Sequence, residues 1–153
     1  MGRPSCGKRP GGPWYGEDRH RILYEHSARR TVPGLRARTV TSGPKAGRVY
    51  TVILQVPYYE PRRVEIVFPR AAPHSPRVRP DGPTRSKHRY GRHYLCMWDP
   101  NGPPGEKWLF EDGLVALLGH TAAHLFREAW WRETGEWLGP EIAHEDLTED
   151  AGD

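Results

Sequence analysis

At 153 residues, with 36% hydrophobic residues, 17 glycines and 16 prolines, the chain has room for one modest, loop-rich core and not for two domains. No apolar run approaches the roughly 18 residues needed to span a bilayer, and the opening MGRPSCGKRPGG has no apolar signal core, so a soluble cytoplasmic protein with no membrane partner is expected. The net charge of +4 is unevenly spread: eleven Lys/Arg against three Asp/Glu over residues 1–48, nine against three over 49–92, and three against thirteen from 93 onward.

Residues 1–16, rich in Gly, Pro and basic side chains, are predicted to form a flexible basic arm. A short, weakly amphipathic helix follows over 17–30, with Ile22, Leu23 and His26 on one side, stopped by Val32-Pro33-Gly34. Runs with strand character come next: LRARTV (35–40), VYTVILQV (49–56), RVEIVF (63–68) and the shorter RVRP (77–80). The turn PYYEP between the second and third suits a hairpin, and Val64, Ile66 and Phe68 alternate onto one buried face. Sequential strands with short links predict an antiparallel meander. After an irregular segment, Asp112 is a candidate N-cap for a long helix through Thr134, with Gly135 as its C-cap. Leu114, Leu118, Ala122, Leu125 and Ala129 recur at helical spacing and should face the sheet. The last residues, 145–153, are acidic and expected to be disordered. The fold class is α+β.

Candidate chemistry is sparse. Walker, dinucleotide-binding and HExxH patterns are absent. His120 and His124 stand at i, i+4 spacing, but they lack a glutamate between them and an obvious third ligand, so polar-face or packing histidines are the expectation and no metal is assigned. The basic half of the chain suits nucleic acid, an acidic protein partner or plain solvation. With no stacking platform in the sequence, nucleic acid is not the expected partner.

The segment HRYGRHYLCMWDPNG (88–102) is the most informative. The two cysteines, Cys6 and Cys96, make no disulfide framework, so each is a free thiol. From the residues alone Cys96 reads either as a buried small hydrophobe or as a reactive thiol. Favouring the second, His88 and His93 lie upstream, and the Pro/Gly turn at 100–104 should bring the chain to the surface.

These residues fall in an order that resembles the ubiquitin-conjugating enzymes, over roughly residues 17–140. Phe68-Pro69 and Pro73-x-x-Pro76 are similar to that family's strand ending in Phe-Pro and the proline-rich link it leads into. Leu95-Cys96 is similar to the active-site pair, and Trp108 precedes the long helix. The eukaryotic His-Pro-Asn triplet is missing, and His88 stands eight residues before Cys96, where its asparagine would be. That substitution, and the pattern Trp131, Trp137, Gly139, Glu141, His144, are similar to divergent bacterial members of the family. Some of those stand in CBASS antiphage operons beside a cGAS/DncV-like nucleotidyltransferase.

The resemblance implies a ubiquitin-conjugating-enzyme-like domain over 17–144: N-terminal helix, four-stranded antiparallel meander, active-site loop and long C-terminal helix. It further implies a cysteine-dependent acyl transferase. Cys96 would carry the C-terminal carboxylate of a protein substrate, either a nucleotidyltransferase or a ubiquitin-like protein, with an activating enzyme as a possible further partner. His88 would hold the oxyanion, and His93 or Asp99 would support proton transfer. No cofactor is implied. Two other classes stand beside this one: a non-catalytic adaptor of the same fold, and a basic nucleic-acid-binding module.

Overall fold

The computed structural model describes residues 12–141. Most of the basic arm and all of the acidic tail (145–153) lie outside the described residues, as does His144.

The end of the stretch read as an arm is folded. Trp14–Gly16 form a 3-10 turn, Tyr15 is buried, and Trp14 Nε1 donates to the Pro73 carbonyl at 2.6 Å. The Trp14 ring sits 4.9 Å from Tyr24, 5.3 Å from Phe110 and 5.6 Å from Phe68. This aromatic cluster draws residues 14–16 into the domain, because rings of this size bury more apolar surface than ordering a few residues costs.

Helix α1 spans Asp18–Thr31, close to the expected range, but its inward face differs. Ile22 and Leu23 are 65% and 67% exposed, His26 is exposed too, and the residues turned inward are Glu25 and Ala28. Glu25 can face inward because its partners are there. Arg48 Nε at 2.8 Å and the Tyr50 hydroxyl at 2.7 Å both donate to its Oε1, and Arg29 donates to Oε2 at 2.8 Å. A buried carboxylate is tolerated only when it is paired in this way. Burial pushes the carboxyl up, but the hydrogen bonds from Tyr50, Arg29 and Arg48 outweigh it and leave Glu25 below the usual carboxylate range.

Four strands follow, β1 (Arg36–Val40), β2 (Gly47–Leu54), β3 (Arg62–Pro69) and β4 (Arg77–Pro80), paired antiparallel in the order β1-β2-β3-β4. This is the expected meander. Tyr50, Ile66 and Val78 stand in register on the inner face, with Val52 and Val64 as the next row, and all five are buried. A second, smaller ribbon consists of β5 (Arg89–Tyr90) and β6 (Tyr94–Leu95), inside the segment expected to be irregular.

Helix α2 spans Gly113–Thr134 and ends at Gly135, whose φ of 78° and N–H to the Trp131 carbonyl at 2.8 Å make it the expected left-handed C-cap. Asp112 does not cap the helix with its side chain. Its Oδ2 accepts the Leu109 N–H at 2.8 Å and closes the preceding 3-10 turn, Phe110–Asp112. The buried stripe of α2 is Leu114, Leu117, Leu118, Thr121, His124, Leu125 and Glu128, while Ala122 and Ala129 are half-buried. Its N-terminal half is apolar and packs with Phe68, Ile66 and Trp108 into one core cluster. Its C-terminal half keeps Leu125 in that core and adds two buried polar residues, His124 and Glu128, that meet the small ribbon. Among the described residues no helix is long and apolar enough to cross a membrane.

Candidate active site

Alternation along the small ribbon sorts its side chains. Arg89 pairs across the strands with Leu95, and Tyr90 with Tyr94. The next rung continues that register: the Cys96 N–H donates to the His88 carbonyl at 3.2 Å. Side chains directly opposite, and those two residues apart, share a face. One face therefore carries Arg89 and Leu95, and the other Tyr90, Tyr94 and Cys96, while the His88 ring, one residue before β5, packs on Trp137, which also touches His124 of α2. The two residues assigned to catalysis, eight apart in sequence, are cross-strand neighbours.

The face with Arg89 anchors the ribbon. Arg89 Nε and Nη2 each donate to Glu128 at 2.7 Å, Nη1 donates to the Arg92 carbonyl at 3.0 Å and Nη2 also to the Pro83 carbonyl at 3.2 Å. This buried guanidinium ties three points of the 83–92 segment to α2. His124 lies one turn before Glu128, its Nε2 3.3 Å from the His88 carbonyl, and burial pushes its pKa down to about 4. It is a packing histidine. His120, its i, i+4 neighbour, is exposed beside Trp98 at 5.8 Å. Among the described residues no group of three or more His, Cys, Asp or Glu side chains is arranged to hold a metal.

The face with Cys96 is covered, which corrects the expected exposure. Cys96 is 2% exposed and His88 is 4% exposed. The Pro/Gly turn does bring the chain outward, but it begins at Asp99, whose carbonyl accepts the Gly102 N–H at 3.0 Å and whose Oδ1 accepts the Asn101 N–H at 2.9 Å. Cys96, three residues earlier, is still held on the ribbon by its bond to His88. Trp137, just beyond α2, closes over His88 edge to face at 4.5 Å.

Burial pushes the Cys96 thiol up, the nearby Tyr90 hydroxyl draws it part of the way back, and the Asp99 charge raises it again. The net shift is upward, so the resting sulfur is a thiol. Tyr90 is itself pushed up to about 12 by burial, by Cys96 and by Asp99. Yet Tyr90 is 42% exposed and Asp99 is exposed. The sulfur thus lies one side chain below the surface. Of the two supporting residues, Asp99 is near enough for its charge to act on the sulfur. His93 is in the exposed turn at the ribbon's tip, roughly 10 Å along the strand.

Alongside runs an apolar groove of about 900 Å³, walled by Tyr90, Tyr94, Met97, Trp98, Pro76 and Trp108. Tyr90 lines this groove, and its hydroxyl acts on the Cys96 sulfur. Tyr90, Arg89 and Glu128 were not singled out from sequence. The helical pair noted from sequence in this stretch was His120 with His124, and it gives no sign that Glu128 binds a buried arginine 39 residues away.

The family described as Type II CBASS E2 protein matches residues 24–145 of the chain. No curated protein and no solved structure matches it.

Proposed function

The chain belongs to the Type II CBASS E2 family, a family of ubiquitin-like conjugation in antiphage defence, and from that membership we propose that Cys96 carries a partner's C-terminal carboxylate as a thioester and passes it to an amine. The reading rests on one observation above all: the Cys96 N–H donates to the His88 carbonyl at 3.2 Å, which makes the two residues cross-strand neighbours on the ribbon.

The partner is a protein whose C-terminus arrives as an activated acyl group, made with ATP by an activating enzyme. In this family's setting the nucleotidyltransferase is the first candidate and a ubiquitin-like protein the second. Such ATP-dependent partners support a cytoplasmic setting. On charging, the Cys96 sulfur bonds to the acyl carbon, the bond from that carbon to the activating group breaks, and the departing group leaves with the electron pair and takes up the Cys96 proton. On discharge, an amine attacks that carbon. A His88 N–H then stabilises the oxyanion of the tetrahedral intermediate, an effect worth about 3 kcal/mol for one well-placed donor. The C–S bond breaks, an amide forms, and the amine proton passes by way of Asp99 or water to the departing sulfur. Thiolate is the fitting leaving group because a thioester is more reactive toward an amine than the corresponding ester.

Intact-mass measurement after co-expression with a CBASS nucleotidyltransferase and an activating enzyme tests this. A reductant-sensitive adduct is expected on the unaltered protein, a hydroxylamine-sensitive ester on Cys96→Ser and none on Cys96→Ala. An adduct that persists in the alanine variant ends the thioester reading. A second reading, a non-catalytic adaptor of the same fold, is favoured by the 2% exposure of Cys96. It predicts that no acyl adduct forms on any variant.

A further inference from the structure

The site as proposed has a gap: its nucleophile is covered, and something must uncover it. We infer that Tyr90 is the positioning residue for the sulfur, covering Cys96 at rest, holding the thiolate through its hydroxyl, and swinging toward solvent to admit the acyl donor. This rests on the reading of Cys96 as the nucleophile and adds the residue that controls access to it.

Three features of the ribbon support the assignment. Tyr90 is two residues from His88 on β5, on the same face as Cys96, so its ring lies diagonally across the strands from the sulfur. That diagonal distance is within reach of an aromatic side chain. Its hydroxyl acts on the sulfur in the direction a hydrogen-bond donor would, favouring the thiolate. And the two residues differ in exposure in the way a cover and its contents do, 42% against 2%.

The other neighbours are less able to move. His88 is pinned between its rung on the ribbon and the Trp137 ring. Leu95 belongs to the core cluster, and Arg89 is held by Glu128. Tyr90 alone of this set has solvent on one side and the open groove on another. Rotation about its side-chain bonds exposes the sulfur without breaking a backbone hydrogen bond of the ribbon. Such rotamer changes at half-exposed positions are fast compared with enzymatic turnover.

Iodoacetamide alkylation of Cys96, followed by intact mass in a Cys6→Ser background so that one thiol remains, tests the inference without any acyl donor. Tyr90→Ala removes the cover, and the high-pH plateau rate should rise roughly tenfold or more. Tyr90→Phe keeps the ring and removes the hydroxyl. The plateau should then stay near that of the unaltered protein, while the midpoint of the pH–rate profile moves up by about half a unit or more. Circular dichroism melts confirm that each variant is folded. An unchanged plateau in folded Tyr90→Ala overturns the role of cover. An unmoved midpoint in Tyr90→Phe overturns the role of the hydroxyl. Should Tyr90→Ala not fold, Tyr90→Leu, which keeps an apolar contact but not the reach of the ring, takes its place with the same readouts. If alkylation behaves as stated and no thioester ever forms, the gate stands and the conjugation reading falls.

Discussion

Arg89 sets its guanidinium against the carboxylate of Glu128 through two hydrogen bonds of 2.7 Å, and solvent scarcely reaches either side chain. This pair joins the Cys96 ribbon to α2. A ribbon with strands of only two residues each has little stability of its own, so its position depends on such an anchor.

Breaking that anchor from one side should be costly. Glu128→Ala leaves a buried guanidinium without its carboxylate, and urea unfolding should show a loss of about 3–5 kcal/mol. The double variant Glu128→Leu with Arg89→Leu should be the more stable of the two, since neither charge then stays behind. A single-variant loss below about 1 kcal/mol would mean that water reaches Arg89 once the carboxylate is gone.

His124 makes the same region sensitive to acid. Its folded pKa is about 4, below the ordinary histidine value, chiefly because of burial. Above roughly pH 6.5 the ring is neutral in both states and contributes no pH dependence. As pH falls below that, the unfolded chain takes up a proton that the folded one refuses, so stability drops until pH reaches the folded value. The full loss is about 3 kcal/mol for a shift of this size. His124→Gln should flatten that part of the stability–pH curve. An identical slope in the variant would assign the acid sensitivity to another group.

What the sequence made legible, and what it hid, divides along the distance between partners. Val64, Ile66 and Phe68 announced a strand with one buried face because the pattern is local, and Gly135 announced a helix end for the same reason. In α1 the same reasoning chose Ile22 and Leu23 as inward, while the structure turns Glu25 inward. Periodicity cannot show that Arg48 and Tyr50, more than twenty residues on, neutralise that carboxylate. The candidate site shows the same division. Cys96 was singled out by its neighbours and His88 by the family resemblance, but the turn after Asp99 was taken as evidence of exposure at a residue that is still paired on the ribbon. Tyr90 was invisible as a cover because its placement depends on a two-rung register that no composition signal marks.

The Glu25 cluster provides a control far from the thiol. Glu25→Ala removes the common partner of Arg48, Tyr50 and Arg29, leaving Arg48 buried and unpaired, and should cost about 3–5 kcal/mol in thermal or urea unfolding. Because the Glu25 carboxyl sits below its ordinary value, its stabilisation is fully present above the unfolded carboxylate pKa and is lost as pH falls through the lowered folded one. Glu25→Gln should remove that acid-side dependence. Alkylation of Cys96 should be the same in either variant at a temperature where it remains folded. A changed rate would tie α1 to the site through a coupling that the geometry does not predict.

His88 is the residue whose role can be read most sharply by comparing two substitutions. His88→Asn keeps a side-chain N–H donor on the same rung, of the kind the resembling eukaryotic enzymes place eight residues before their cysteine. His88→Ala keeps the rung and removes the donor. If the donor stabilises the oxyanion, single-turnover discharge of a preformed thioester to free lysine should slow about 10²- to 10³-fold in the alanine variant and far less in the asparagine variant. The amount of thioester formed should hardly change in either. His88 also packs against Trp137, so the alanine variant loses packing as well. That loss lowers the melting temperature but does not distinguish charging from discharge. Equal slowing of both steps, or no rescue by asparagine, would make His88 a packing residue for Trp137 and leave Cys96 to act without it.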